Sequence, residues 1–210
     1  MIHRTLWVLL AVLYAVFFSW YTPWGGPLTA DEIDGYLTSL KDASRTPEQT
    51  ARWRAFMESD TGGDFAMVNV IELRDTPKPV EGVSPGETSG EVLSRYSEPF
   101  MRDAMRDAAH PVFFGFAAAG AMDLWGIQGA ERWTNGALVR YRSRRDLMNQ
   151  AVRTASSHIH EFKMAAMEKT IAFPVDPWFH LGDPRLLLGL LFAVIGLAVH
   201  HLSLRRRVRG

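Results

Sequence analysis

The sequence of 210 residues predicts an α+β fold, an antiparallel sheet with helices on one face, carried between two membrane-spanning helices. Two observations predict this fold. Each end of the chain has a long apolar run, and the segments between follow the order strand, helix, strand, strand, helix, strand. The 23 basic and 23 acidic residues balance, so no net charge attracts a polyanion, and the absence of cysteine excludes disulfides and thiolate chemistry.

The first apolar run, residues 6–21, is LWVLLAVLYAVFFSWY and carries no charge. With its flanking positions it approaches the roughly 20 residues that a bilayer core requires. Trp20, Tyr21 and Trp24 are typical of an aromatic belt at the membrane surface. A cleaved signal peptide is the alternative, but no small-residue cleavage motif follows closely. We therefore expect an uncleaved anchor over residues 1–24.

A second span is predicted over residues 181–210. Asp183 suits the N-cap and Pro184 the first helical position, and the chain is then apolar from Leu186 to Val199. Four arginines follow this run: Arg205, Arg206, Arg207 and Arg209. The alternative of two buried core helices fits poorly with nearly uncharged runs that have membrane-type flanks.

The distribution of positive charge predicts the orientation of both spans. The arginine tail holds the C-terminus in the cytoplasm by the positive-inside rule, and His3 and Arg4 bias the N-terminus in the same way. We expect an inner-membrane protein with the lipid bilayer as its partner, both termini cytoplasmic, and a periplasmic or otherwise extracytoplasmic central domain.

Residues 25–63 are predicted to form a helical arm. TADE is a capping box with Thr29 as N-cap and Glu32 at the third position, and TPEQ repeats the pattern from Thr46. Apolar residues recur at helical spacing after each box, as in the stripe of Trp53, Phe56 and Met57. The arm is expected to join the first anchor to the main domain.

Residues 64–180 are predicted to form the main domain, and patterning places its elements in order. Residues 65–74 are rich in strand formers, and TSGE opens a helix from Thr88 to Ala108 that Pro99 is expected to kink. Strands are predicted at 111–120, 134–141 and 170–175, with Pro174 placing the last at a sheet edge, and an interrupted helical region runs from Ser143 to Lys169. This order is the ferredoxin-like βαββαβ pattern.

The basic stretch LVRYRSRRD at 138–146 is not predicted to bind nucleic acid. Strand alternation turns Arg140 and Arg142 to one face, while Arg144 and Arg145 lie in the first turn of the next helix, near Asp146. The charges are therefore spread over two elements rather than along one groove.

Several segments resemble the dimeric α+β barrel superfamily, which includes antibiotic-biosynthesis-monooxygenase-like and EthD-like domains. FAMVNVIELR, RYSEPFM, VFFGF and ERWTNGALVRYRSRRDL carry the resemblance over residues 64–175, and they are most similar to an uncharacterised branch. Its motif positions here are Met67, Asn69, Tyr96, Trp133, Asn135, Arg140, Tyr141, Ser143 and Arg144. The resemblance implies a homodimer whose two sheets close into a barrel, with a pocket between sheet and helices in each subunit.

Such a pocket needs convergent polar groups in apolar surroundings. Candidate ligand-binding residues are Asn69, Trp133, Arg140 and Tyr141, and candidate proton-transfer residues are His110, Tyr96 and His158. Each has a structural alternative: a satisfied core amide for Asn69, pairing with an acid such as Glu72 for Arg140, and packing for the aromatic residues.

No metal site or cofactor is predicted. His158 and Glu161 share a helix face, but the spacing of a zinc motif is missing. His200 and His201 are expected at the headgroup level, and a haem or quinone contact there stays open.

Three functions remain open from the sequence. The leading hypothesis is a small-ligand-binding or accessory module that recognises an apolar molecule or a membrane-protein partner. The second is a cofactor-independent monooxygenase or isomerase acting on a lipophilic or aromatic substrate. The third is a structural subunit of a membrane complex, held by its two spans.

Overall fold

The structure, a computed structural model, describes residues 2–40, 46–155, 157–177 and 180–209. The chain divides into two compact units, one formed by residues 1–22 with 178–210 and the other by Pro23–Pro177. In chain order the elements are α1 (Ile2–Tyr21), α2 (Ala30–Ser39), α3 (Pro47–Glu58), β1 (Phe65–Leu73), α4 (Ser89–Arg106), β2 (His110–Phe116), β3 (Asn135–Tyr141), α5 (Arg144–Ala155), α6 (Ile159–Ala166), β4 (Met167–Val175) and α7 (Pro184–Arg209). The predicted α+β class is confirmed.

The terminal unit consists of α1 and α7. Arg4–Tyr21 and Pro184–Arg205 are both long and apolar enough to cross a membrane by length and composition. The two helices contact each other, since the Tyr14 hydroxyl donates to the Arg185 carbonyl oxygen at 3.1 Å. The predicted start of α7 is confirmed, because the Asp183 carboxylate accepts from the Arg185 backbone N–H at 2.8 Å.

The central unit contains one four-stranded antiparallel sheet in the order β2-β3-β1-β4. Phe65 lies opposite Tyr141, and Ala66 lies opposite Val175 in β4. Pro174 is in an edge strand, as predicted from its missing N–H donor. The second strand ends earlier than predicted, at Phe116, and the fourth starts earlier, at Met167.

The two faces of the sheet differ in their surroundings. On one face the main core joins Phe65, Val139 and Tyr141 to residues of α4 and α5. Alternation turns the intervening residues to the other face, where Phe113 is 61 %, Ile171 39 % and Phe173 46 % exposed. The chain therefore leaves an apolar sheet face in contact with solvent.

All three predicted capping boxes are present, at Thr29, Thr46 and Thr88. In each, the threonine side chain accepts from the third helical N–H, and the Glu or Gln at that position accepts from the threonine N–H. The helical region after Ser143 forms two helices, α5 and α6, and the Ser143 hydroxyl accepts from the Asp146 N–H at 3.1 Å. Helix α4 runs through Pro99.

The predicted arm, α2 and α3, packs on α5. A second core joins Ile33 and Leu40 to Met57 and Met148. Where the chain enters the central unit, the backbone of Gly26 approaches Gly62, which has a φ of +76° and whose added Cβ would lie 2.7 Å from Gly26. This contact requires glycine at 62, because an L side chain is strained at this φ and no space exists for one.

Candidate functional site

The candidate site lies where α4 and α6 cover the helix-facing side of the sheet. Helix α4 supplies Tyr96, α6 supplies His160 and Lys163, and β3 supplies Tyr141. Tyr96 and Lys163 face each other because α4 and α6 pack together along their lengths. We call Tyr96, Tyr141, His160 and Lys163 the interior cluster. Tyr141 is buried, Tyr96 and Lys163 are half-buried, and His160 is exposed at its edge.

Tyr96 is the centre of the interior cluster. Its ring stacks on Phe100 with centroids 5.3 Å apart and meets the His160 ring edge-on at 6.1 Å. The Lys163 Nζ atom lies 5.3 Å from the centroid of the Tyr96 ring, within the range of a cation–π contact. Burial raises the pKa of Tyr96 to about 12, so the phenol stays protonated at neutral pH and is available as a donor.

Tyr141 extends the interior cluster to the sheet. It is 5 % exposed, and its ring stacks on Phe65 at 5.4 Å. Burial, and secondarily the nearby Tyr96, raise the pKa of Tyr141. Within the described residues neither Tyr96 nor Tyr141 has a hydrogen-bond partner for its hydroxyl. Neither hydroxyl belongs to the fully buried polar atoms without a partner, and Tyr96 is half-buried, so water or a ligand can reach both groups.

Lys163 contributes an amine to the interior cluster. The side chain is half-buried, and in the described part of the chain it forms no ion pair or hydrogen bond. Burial lowers the pKa of Lys163, since removal from water disfavours the ammonium form. The cluster thus offers an amine and two phenol donors next to apolar side chains.

Asn69 lies on the helix-facing side of β1, as predicted. Its amide donates to the backbone oxygen of Met67 at 3.0 Å, a local contact of the kind expected for a core amide. Asn135, on the neighbouring strand β3, is 6 % exposed, and its side-chain oxygen is buried without a hydrogen-bond partner. This side of the sheet therefore holds one satisfied amide and one unsatisfied amide oxygen.

Arg140 has a structural role in the described residues. Its side chain is 3 % exposed and pairs with Asp64, with 2.9 Å between Nη2 and Oδ2, and it donates to the Ala108 carbonyl oxygen at 3.0 Å. The paired acid is thus Asp64 rather than Glu72, which instead binds Lys169 at 2.7 Å. The Arg140 guanidinium thus lies at the end of the sheet next to Asp64 and Ala108. Neither of these two residues is among the contacts of Tyr96 described above.

The other predicted residues are scattered. His110 starts β2, with Nδ1 3.2 Å from the Pro111 oxygen. His158 is an exposed residue before α6, with Nδ1 3.7 Å from Glu161. Trp133 lies under the Lys169 ammonium, 4.9 Å from its ring centroid. None of these contacts involves Tyr96 or Tyr141.

Among the described residues, no three His, Cys, Asp or Glu side chains are grouped to hold a metal ion. Two surface grooves, of about 390 and 410 Å³, adjoin the arm. The first is lined by Glu32, Gly35, Tyr36, Ser39, Asn149, Val152 and Arg153, and the second by Arg52, Ala55, Phe56, Ser59, Arg144, Pro174 and Asp176. The grooves share no residue with the interior cluster.

Of the interior cluster, the sequence suggested Tyr96 and Tyr141 as candidates and did not suggest Lys163 or His160. The missed signal is an apolar flank: Phe162 and Met164 enclose the lysine, and Ala165 and Ala166 follow it. Apolar neighbours of this kind indicate that the stem of the lysine packs against apolar surface.

Comparisons with known proteins give no family for this chain. No family model and no curated protein matches the sequence. Crystal structures of RPA0582, a protein of unknown function from Rhodopseudomonas palustris, are similar at 22 % identity over 65 % of this chain and 97 % of that chain, with a TM-score of 0.46. Its methylated form is similar over 67 % of this chain and 96 % of that chain, with a TM-score of 0.48. At3g17210 from Arabidopsis thaliana is similar at 14 % identity over 55 % of this chain and 97 % of that chain, with a TM-score of 0.34.

Proposed function

We propose that the chain is a membrane-anchored binding protein whose ferredoxin-like domain, of the dimeric α+β barrel type, holds a small and mostly apolar molecule. The interior cluster is the proposed site. The observation that supports it is the pair of phenol hydroxyls, on Tyr96 and Tyr141, that lack partners in the described residues beside the unpaired amine of Lys163. A ligand with one acceptor group would satisfy these donors, while its apolar part would pack on Phe100 and Met67.

The membrane part of the proposal rests on the two apolar helices and the arginines after the second. We infer two spans in the inner membrane, both termini cytoplasmic, and an extracytoplasmic central domain. A reporter fused after Gly210 should be active in the cytoplasm, and the chain should sediment with membranes. A fusion active only outside the cytoplasm, or a chain that stays in the supernatant without detergent, contradicts this orientation.

We also propose that the exposed apolar face of the sheet pairs with the same face of a second copy. Phe113, Ile171 and Phe173 lie on this face and remain substantially exposed in the single chain. Apolar surface of this kind is typical of an interface. Pairing of the two sheets would leave each interior cluster on its own side of the dimer, under the helices.

The binding proposal is tested by native mass spectrometry of the full chain released from mild detergent, before and after addition of 2-naphthol. We expect a retained small molecule in the wild type. Replacing both site tyrosines, Tyr96→Phe with Tyr141→Phe, removes two donors and keeps both rings. Because each hydrogen bond contributes about 0.5–1.5 kcal/mol, affinity for naphthol should fall by about tenfold or more.

The matched control is Tyr36→Phe, which removes a hydroxyl of the arm that donates to Asn149 at 2.7 Å. It should leave naphthol binding unchanged. Equal binding by the double variant and the wild type would contradict a site at the interior cluster. A protein that co-purifies in fixed ratio while no small molecule binds would instead favour the structural-subunit hypothesis.

An enzyme is the second candidate, and one observation favours it: a protonated phenol, Tyr96, lies beside an amine whose pKa is lowered. This pair can donate and accept a proton, as an isomerase or cofactor-independent oxygenase requires. Of the predicted proton-transfer residues His110, Tyr96 and His158, Tyr96 alone belongs to the interior cluster. Turnover of a retained ligand, lost in Tyr96→Phe with binding kept, would identify the enzyme.

A further inference from the structure

The lysines of this chain are few, and their surroundings differ. The sequence has four, and Lys41 lies outside the described residues. Lys169 is paired with Glu72 at 2.7 Å and covers the Trp133 ring. Lys78 is exposed. Lys163 is half-buried against Tyr96, and in the described part of the chain it has no carboxylate partner.

An amine in such surroundings is a better nucleophile than one in water or in an ion pair. A carboxylate or water stabilises the charged ammonium form of a lysine strongly. The face of an aromatic ring stabilises it less. Burial accordingly lowers the pKa of Lys163.

We propose that Lys163 anchors the ligand of the interior cluster covalently, as an imine with a lipophilic aldehyde or ketone. This inference rests on the proposed function, since it names the reactive group and the ligand class of the same site. The hydrocarbon part of such a carbonyl compound would pack on Phe100 and Met67, and the tyrosine hydroxyls would donate to its oxygen.

The step balances without an oxidant or reductant. The lone pair of Lys163 Nζ attacks the carbonyl carbon, and the carbonyl electron pair moves to oxygen, which takes a proton from the Tyr96 hydroxyl. Nitrogen returns a proton to the Tyr96 phenolate, giving a neutral carbinolamine. The Tyr96 hydroxyl then protonates the carbinolamine hydroxyl, which leaves as water while the nitrogen lone pair forms the C=N bond. The Tyr96 phenolate takes the remaining N–H proton, which completes the imine and restores the phenol. The net change is amine plus carbonyl to imine plus water.

The test is reductive trapping on the full chain in mild detergent. The protein is incubated with 4-tert-butylbenzaldehyde and cyanoborohydride at neutral pH, and the labelling rate of each lysine is read by peptide mass spectrometry. We expect Lys163 to be labelled faster than Lys78, although Lys78 is the more exposed amine. Tyr96→Phe should slow the labelling of Lys163 and leave that of Lys78 unchanged.

Labelling of Lys163 at or below the rate of Lys78 overturns the proposal. Lys163→Arg keeps a cation at this position and should remove the labelled peptide while circular dichroism stays that of the wild type. The naphthol experiment separates this proposal from the proposed function, because naphthol has no carbonyl group. Naphthol binding with an unreactive Lys163 overturns the imine alone, whereas absence of both overturns both.

Discussion

At the scale of single residues, the dense basic stretch of β3 and α5 is resolved into separate ion pairs. Each arginine has an acid within 4 Å, and the shortest contacts include Arg140–Asp64 at 2.9 Å, Arg142–Asp146 at 2.8 Å, Arg144–Asp60 at 3.7 Å and Arg145–Glu32 at 2.7 Å. Three of these acids precede β1 in the sequence. The arginines therefore join β3 and α5 to the arm and to the chain that leads into β1.

The Arg140–Asp64 pair allows a prediction about stability. Asp64→Asn would leave the Arg140 charge, 3 % exposed, without its carboxylate. Because an uncompensated buried charge is costly, we expect the free energy of unfolding to fall by about 3 kcal/mol, measured by guanidinium denaturation. The matched control is Asp34→Asn, which breaks the exposed Arg54–Asp34 pair and should change stability little. Equal effects of both variants would contradict a structural role of Arg140.

The Arg145–Glu32 pair predicts a pH dependence of arm docking. The Glu32 carboxylate accepts hydrogen bonds from the Arg145 side chain and from the Thr29 backbone N–H. These bonds lower the pKa of Glu32 from 4.5 to about 2. A group whose pKa is lowered by folding stabilises the fold above its unfolded pKa, and this contribution is lost as pH falls from about 4.5 to about 2. We expect Glu32→Gln, which keeps the capping box, to unfold more easily than wild type at pH 6 and by a much smaller margin at pH 2.5.

Unfolding midpoints of both proteins across this pH range check the prediction. The side chain of Glu32 is 35 % exposed, so solvent screening makes the difference at pH 6 modest. If the difference in unfolding midpoint between wild type and variant stays constant down to pH 2.5, the effect comes from the change of side chain and not from the loss of its charge.

The sequence identifies some of these residues and not their partners. Asp64 is distant from Arg140 along the chain, and only the β1–β3 register brings them together. The same holds for Lys163, whose aromatic neighbour Tyr96 belongs to another helix. A single sequence shows the chemistry of a side chain, but the pairing of side chains depends on the packing of elements.

At the scale of elements, local signals in the sequence predict where helices start. Each capping box satisfies backbone N–H groups that a helix start leaves without partners, so the signal is contained within four residues. The starts of α2, α3 and α4 accordingly follow Thr29, Thr46 and Thr88 as predicted. Such signals need no knowledge of tertiary structure.

The capping box of α4 predicts a loss of stability in Thr88→Ala. The Thr88 side chain accepts from the Glu91 N–H at 3.2 Å, and alanine has no acceptor. We expect a loss of about 1 kcal/mol in the free energy of unfolding, while Thr88→Ser, which keeps the hydroxyl, should lose much less. Similar losses in the two variants would show that the threonine methyl group, rather than the cap, stabilises α4.

Strand limits were less predictable than helix starts, for a physical reason. The run AAMEKTIAFPV contains both helix and strand formers, and its change from α6 to β4 between Ala166 and Met167 is set by pairing with β1. Similarly β2 ends at Phe116, opposite the first residue of β3, Asn135, and one further backbone hydrogen bond joins Ala117 to Thr134 beyond this pair. The sheet, not local propensity, decides these limits.

At the scale of the whole molecule, the sheet presents one covered face and one exposed face. The helices α4, α5 and α6 cover the first. The second carries Ile171 and Phe173 on the edge strand β4. A charged group in the middle of this face would be desolvated in the proposed dimer and solvated in the monomer.

This contrast predicts the effect of Ile171→Glu and Phe173→Glu on assembly. Each should convert the proposed dimer to a monomer in mild detergent, measured as the protein mass by light scattering with detergent correction. Met105→Glu, at an exposed position of α4, is the control and should leave the mass unchanged. A wild type that is monomeric, or charged variants that keep the dimer mass, would contradict pairing through this face.

The positions where the chain enters and leaves the central unit have a mechanical consequence. Gly26 lies against Gly62, just before β1, and β4 ends at Val175 opposite Ala66, near the start of β1. Both connections thus leave from one end of the sheet. Tension between these two connections would separate β4 from β1, starting at Val175. The backbone hydrogen bonds of this edge strand would then break one after another rather than all at once, so the strand would unzip and not slide along β1.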